Sequence, residues 1–323
     1  MLCGQRPQSQ MLKFMAALAV VLGHQTGFYC SLPSIVVSET SVGALCVAFF
    51  LFMSGYGLLY GYVKKQQRLD RGWIGKRLLK LIVPACTAMF LYLAAELCVG
   101  REVRWDVLLK YWFVSDINLR YGWYVTEILV LYVAFWLSFR CLSARRAFWL
   151  LSCAILVAMV VMIVIKCAVW YVQGLPCFFL GMLLAKMNLG ETKVIAKVSG
   201  MRLKALMSLL VVLFYFLKNF QEVQLAVPML AKWRYTYLSY FLCDAFFVGI
   251  IAYLLMRLPV CRLMTNRGGY FYEVYLVQGA TLLLCREMIM NDWLFLVVGL
   301  VVTVAVAKVM SYANQRIISL FVR

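Results

Sequence analysis

Residues 42–62 read VGALCVAFFLFMSGYGLLYGY, twenty-one positions without one charged side chain. At 1.5 Å per residue, a helix of that length covers about 30 Å, the thickness of a bilayer's hydrocarbon core. A strand crossing the same slab needs only about ten residues and alternates polar with apolar positions, which this run does not. Lipid offers the backbone no hydrogen-bond partners, so a segment this long satisfies itself as a helix.

Runs of the same kind recur along the chain. Windows of roughly nineteen residues predict ten spans, at 11–30, 42–62, 76–98, 122–139, 148–165, 168–186, 203–219, 236–256, 270–288 and 293–313. The 323 residues are 65% hydrophobic with a mean hydropathy of +0.88, whereas soluble domains are roughly half apolar. The expectation is an all-α fold, a polytopic membrane bundle of about ten transmembrane helices forming a single domain over residues 1–323. Met11–Phe28 has the apolar core of a signal peptide without a small-residue cleavage site after it, so it is read as a retained first span.

A net charge of +19 would suggest nucleic acid in a soluble protein, but here the cations cluster between apolar runs. The predicted partner is membrane lipid, with no nucleic acid. Of 32 Lys and Arg residues, 21 fall in the even-numbered connections and the tails and 9 in the odd-numbered connections, with Lys13 and Lys308 inside spans. By the positive-inside rule both termini face the cytoplasm of a multi-pass protein. The twelve cysteines contain no CxxC and there is a single histidine, so no metal set of ordinary spacing is predicted and no bound cofactor is expected.

His24 is that histidine, and it lies in the first span, where ionisable residues mark functional sites unless packing explains them. Lys13 precedes it by eleven residues, which is three helical turns plus about 20°, so the two share a face about 16 Å apart along the axis. A phosphate-bearing donor held at Lys13 could reach His24 with an extended arm, although snorkelling to the interface also explains a lysine there. Arg77 and Lys80, three apart and followed by Pro84, could clamp phosphate or serve only as inside charge. Gly57 and Gly61 form a small-xxx-small pair for helix packing, or line a tunnel for a thin pantetheine-like arm. Trp123 and Tyr124 open the fourth span, as an aromatic belt at the interface or as a platform for sugar rings, and Glu127 lies one turn further in. Asp244 and Glu273 are also placed within spans and need partners in the bundle interior.

These residues resemble the motifs of acyltransferase family 3, bacterial membrane proteins that O-acylate cell-envelope polysaccharides and related acceptors. The family's basic residue, ten positions, then histidine is matched by Lys13 and His24, with lysine in place of the usual arginine. Its Phe-Phe-x-x-Ser-Gly-aromatic stretch is similar to Phe49-Phe50-Leu51-Phe52-Met53-Ser54-Gly55-Tyr56, its Arg-x-x-Arg pair before proline to Arg77 and Lys80, and its Trp-Tyr pair to Trp123-Tyr124. Leu180-Gly181-Met182 and the segment Gly269 to Gln278 match two further motifs, with Gln278 standing where many members have histidine. The resemblance covers nearly the whole chain. It implies an O-acetyltransferase of polysaccharide biosynthesis in the inner (plasma) membrane, with acyl-CoA, most simply acetyl-CoA, as donor substrate. The acceptor is a saccharide or lipid-linked saccharide. Lys13, Arg77 and Lys80 would bind the donor, and Ser54, Trp123 and Tyr124 would contact substrate. His24 would act as general base or transient acyl carrier without a second histidine, and Glu127 would orient the imidazole or bind acceptor hydroxyls. The rival reading is a transporter or flippase of a polysaccharide-related substrate, since intramembrane charge and glycine-rich helices also serve transport pathways.

Overall fold

A computed structural model of the chain describes residues 6–30, 39–64, 69–102, 122–165, 167, 169–189, 244, 248–249 and 268–321. The helices among them are α1 (Arg6–Phe28), α2 (Glu39–Lys64), α3 (Arg71–Cys98), α4 (Trp123–Cys141), α5 (Ala144–Val164), α6 (Val169–Gln173), α7 (Leu175–Leu189), α8 (Phe271–Met288) and α9 (Asp292–Phe321). A 3₁₀ turn at Gly268–Tyr270 leads into α8, and the described residues contain no strand. Among the described residues the fold is all-helical.

Among the described residues, five stretches are long and apolar enough to cross a membrane: Gly43–Lys64, Arg71–Cys98, Trp123–Cys141, Ala144–Val164 and Asp292–Phe321. α1 and α8 occupy two more predicted spans but are more polar, because they carry Lys13, His24 and Gln25 in one case and Glu273, Gln278 and Thr281 in the other. The described residues bear on eight of the ten predicted spans. The span predicted at 203–219 lies outside them, as does 236–256 apart from residues 244, 248 and 249.

One predicted span is not a single helix. Residues 168–186 divide into α6 and α7 at Gly174, whose carbonyl accepts the Cys177 N–H at 2.9 Å. A Cβ on Gly174 would come within 2.9 Å of Leu51 Cδ1, and Pro176 then sits in the first turn of α7, where a missing N–H costs nothing. The apolar average over the window hides this break.

The chain clusters into two compact units, Met1–Ser9 with Ala44–Arg68 and Cys141–Val260, and Gln10–Gly43 with Leu69–Arg140 and Cys261–Arg323. In the first, α2 and α7 approach backbone to backbone. A Cβ on Gly55 would collide with the carbonyl oxygen of Phe178, and one on Gly181 with that of Phe52. Small residues permit such contact where lipid gives apolar side chains no reason to associate. Gly57, expected to pack through a small-xxx-small pair with Gly61, has nothing within 4 Å of its Cβ position, so the close approach uses its neighbour Gly55 instead.

In the second unit, helix directions follow from paired contacts. Leu81 and Tyr92 of α3 meet Tyr272 and Gly279 of α8, so these helices run parallel. Phe14 and His24 of α1 meet Tyr270 and Gln278 in the same sense. α9 runs back against them, with Thr303 Oγ1 at 2.7 Å from Thr281 Oγ1 and Phe295 beside Gln25. α4 opposes α3, since the Trp136 indole donates to the Leu69 carbonyl at 3.1 Å while Arg77 reaches Tyr132. α3 itself starts at Asp70, whose carboxylate accepts the Trp73 N–H at 2.6 Å as an N-cap. Within this unit, the helices of the first, third and ninth predicted spans thus run one way and those of the fourth and tenth the other, as alternation across a bilayer requires.

Candidate active site

His24 is half-buried in α1, and its Nδ1 lies 3.0 Å from the side-chain oxygen of Gln278, a fully buried residue of α8. An amide oxygen only accepts, so the contact makes Nδ1–H the donor and leaves the ring's basic lone pair on Nε2. Nε2 faces the start of α2, where a Cβ on Gly43 would stand 3.9 Å away. The next residue, Gln25, is fully buried, and its side-chain amide donates to the carbonyls of Phe295 and Leu296 at 3.2 Å each. That pair of bonds fixes the rotation of α1 about its axis and so aims His24 at α8. Gln278 Nε2 is buried with no hydrogen-bond partner among the described residues, a spare donor beside the imidazole.

Lys13 lies toward the other end of the same helix, its ammonium 5.3 Å from the centre of the Phe271 ring. Arg77 stacks its guanidinium 4.6 Å from the Trp73 ring centre and 5.8 Å from that of Tyr132. Stacking on its faces leaves the N–H edge available for in-plane contacts. Lys80, expected to point with Arg77, is exposed on α3 like Lys76 one turn before it. Ser54 is half-buried in α2, in the other unit, next to Gly55.

Trp123 and Tyr124 are both buried, with Tyr124 edge-on to Tyr275 at 5.4 Å between ring centres. Because Trp136 sits at the beginning of α3, Tyr124 twelve residues earlier lies about 18 Å along that helix, near its Pro84 level. α4 therefore begins deep in the unit, and its opening aromatics are interior residues instead of an interfacial belt. Gln278 is three residues past Tyr275, and Glu127 three past Tyr124 on the opposing helix, so the two are offset by about 9 Å along the axis. Gln278 accepts the hydrogen bond of the imidazole Nδ1–H. Both carboxylate oxygens of Glu127 are buried and have no hydrogen-bond partner among the described residues.

Gln278 as the partner of His24 is the contact at the candidate site that sequence reasoning missed, because 254 residues separate them. The available signal was its position in the motif Gly269 to Gln278. A family model for an acyltransferase domain matches residues 8–312, from the first turn of α1 into the last third of α9. The chain belongs to acyltransferase family 3. No curated protein and no solved structure matches it. As an acyltransferase family 3 protein with several membrane-length apolar helices, it is a multi-pass membrane protein with an acyltransferase domain. The His24–Gln278 pair and the Lys13–Phe271 contact both lie inside the matched residues.

Proposed function

We propose that this acyltransferase moves an acyl group, acetyl in the simplest case, from acyl-CoA to a hydroxyl of a cell-envelope or exported saccharide. It works in the inner (plasma) membrane with both termini in the cytoplasm. The supporting observation is the His24–Gln278 hydrogen bond, which presents Nε2 as a base inside an acyltransferase domain. The acceptor hydroxyl gives its proton to Nε2 as its oxygen attacks the thioester carbonyl carbon. The C–S bond then breaks, and the imidazolium returns the proton to the leaving thiolate, so an ester and a free CoA thiol are formed. Gln278 Nε2 is suited to hold the carbonyl oxygen while negative charge develops on it, a type of contact whose loss costs about 10²- to 10³-fold. Lys13, Arg77 and Lys80 serve the donor phosphates, Lys13 as a point charge where arginine would fork. Trp123 and Tyr124 offer ring faces to the sugar, and Ser54 a hydroxyl to substrate. Glu127, whose carboxylate oxygens are buried without a hydrogen-bond partner among the described residues, accepts hydrogen bonds from substrate.

The test is His24→Ala in membranes supplied with labelled acetyl-CoA. Label in the saccharide fraction should fall about 10²- to 10⁴-fold, the usual contribution of a general base, with the protein still folded. Undiminished label would remove His24 from the chemistry. Solute uptake without any acyl transfer would favour a transporter.

A further inference from the structure

The first unit contains a groove of about 550 Å³ lined by Leu59 and Val63 of α2, Arg145, Phe148 and Trp149 of α5, and Lys186 of α7. It lies at the end of the helices where α2 and α7 finish and α5 begins. Among the described residues, its two ionisable lining groups are both cations, and the rest is aliphatic or aromatic. The Lys186 ammonium is held 4.3 Å from the Phe148 ring centre and 5.1 Å from that of Trp149, so one charge is fixed over the apolar floor.

α5 adds two independent observations. Its first turn holds Arg145 and Arg146 and no acidic residue, and the side chain of its N-cap Ser143 makes no capping hydrogen bond. Cations at the positive end of a helix dipole are unfavourable until an anion joins them, and uncapped first-turn N–H groups suit the same anion. Trp149 is 53% exposed and heads a stripe of exposed apolar residues that continues through Cys153, Val157, Val160 and Val164. Those positions repeat at three- and four-residue spacing, so one face of α5 is turned toward lipid from the groove onward.

We infer that this groove binds an anionic phospholipid, with the phosphate on Arg145, Lys186 and the start of α5 and an acyl chain running from Phe148 and Trp149 down the exposed stripe. A water-borne anion would satisfy the cations but leave the apolar floor and stripe without an occupant. A zwitterionic lipid would bring its own cation against Arg145. The proposal is independent of the acyl-transfer reading, because none of these residues belongs to the candidate active site.

The experiment uses the full chain purified in detergent, titrated with phosphatidylglycerol, phosphatidylcholine or inorganic phosphate. Lipid retention is read by native mass spectrometry and the unfolding midpoint is followed in parallel. Phosphatidylglycerol should be retained and should raise the midpoint, while the other two do neither. Arg145→Gln with Lys186→Gln should weaken its apparent affinity about 25-fold, at about five-fold per cation. Arg316→Gln, which removes an exposed cation elsewhere, should leave it unchanged. Val63→Trp fills the groove mouth with both cations kept and should also abolish retention, which decides the matter if the double variant fails to fold. Equal binding of phosphatidylcholine, equal stabilisation by inorganic phosphate, or undiminished retention by Val63→Trp would overturn the assignment.

Discussion

The contact between α2 and α7 and the contact between α1 and α8 solve the same problem, holding two helices together where water gives no help, in opposite ways. α2 and α7 bring backbones into touch at Gly55 and Gly181. α1 and α8 meet through a histidine, an amide and a cation over a ring. Dispersion between close backbones needs only the absence of side chains, whereas a polar side-chain contact in lipid must be completed or it is costly. The glycine seam is therefore read as architecture, and the half-satisfied polar seam as a place for substrate. Both seams lie in stretches that match family motifs, so a motif alone does not tell structure from chemistry.

The largest effect expected from this contrast falls on the glycine seam. Gly181→Leu places atoms where the Phe52 carbonyl and the Tyr56 nitrogen already are, and neither backbone group can rotate away. The loss should be about 3 kcal/mol, the upper part of the range for overpacking, and should appear as a lower yield of folded protein and a lower unfolding midpoint. Gly57→Ala, two residues from Gly55 and with open space around its Cβ, should be silent in the same assay. Equal damage from both would show that the seam is not where the packing energy lies.

The fold was legible where it depends on the length of apolar runs and the side on which cations gather. Residues 42–62, 76–98 and 293–313 each fall within one helix, and helix directions in each unit agree with the alternation that the charges require. What the sequence hid is what depends on register between distant segments. The aromatic pair Trp123-Tyr124 has the composition of an interfacial belt, yet the Trp136 bond to the start of α3 slides α4 so that this pair is buried near the level of Pro84. At the candidate site, helix periodicity was enough to put Lys13 and His24 on one face. It could not find Gln278, because hydrogen bonding across 254 residues leaves no periodic trace. The break at Gly174 escaped for a third reason: hydropathy averages over nineteen residues, and a single glycine followed by Leu-Pro barely changes the mean.

The next effect sharpens the polar side of the comparison. Gln278→Leu removes both the acceptor for His24 Nδ1–H and the spare donor Nε2, and transfer should fall about 10²- to 10³-fold while the unfolding midpoint changes little, since losing a half-satisfied buried amide offsets the acceptor lost to Nδ1–H. Gln278→Glu keeps an acceptor for Nδ1–H but loses the donor and adds a negative charge where the oxyanion would form. If transfer survives in Gln278→Glu and not in Gln278→Leu, orienting the ring is the whole role of this residue. If both fail alike, the donor is needed as well.

The smallest change concerns Glu127, whose carboxylate is buried without a hydrogen-bond partner among the described residues. An ionisable side chain in that setting lowers stability, and proteins keep such groups where function requires them. Glu127→Gln retains the shape and removes the ionisable group, so the unfolding midpoint should rise by about 2 °C, the shift expected for a gain of roughly 1 kcal/mol in a domain of this order of size. Transfer should fall about ten-fold at the same time, because an amide is a weaker acceptor for substrate hydroxyl or amide donors than a carboxylate. Opposite signs in the two assays are what a residue held for substrate predicts. A fall in both would mean that Glu127 is completed by another part of the chain and serves the fold, and an unchanged rate with a raised midpoint would reduce it to a tolerated defect.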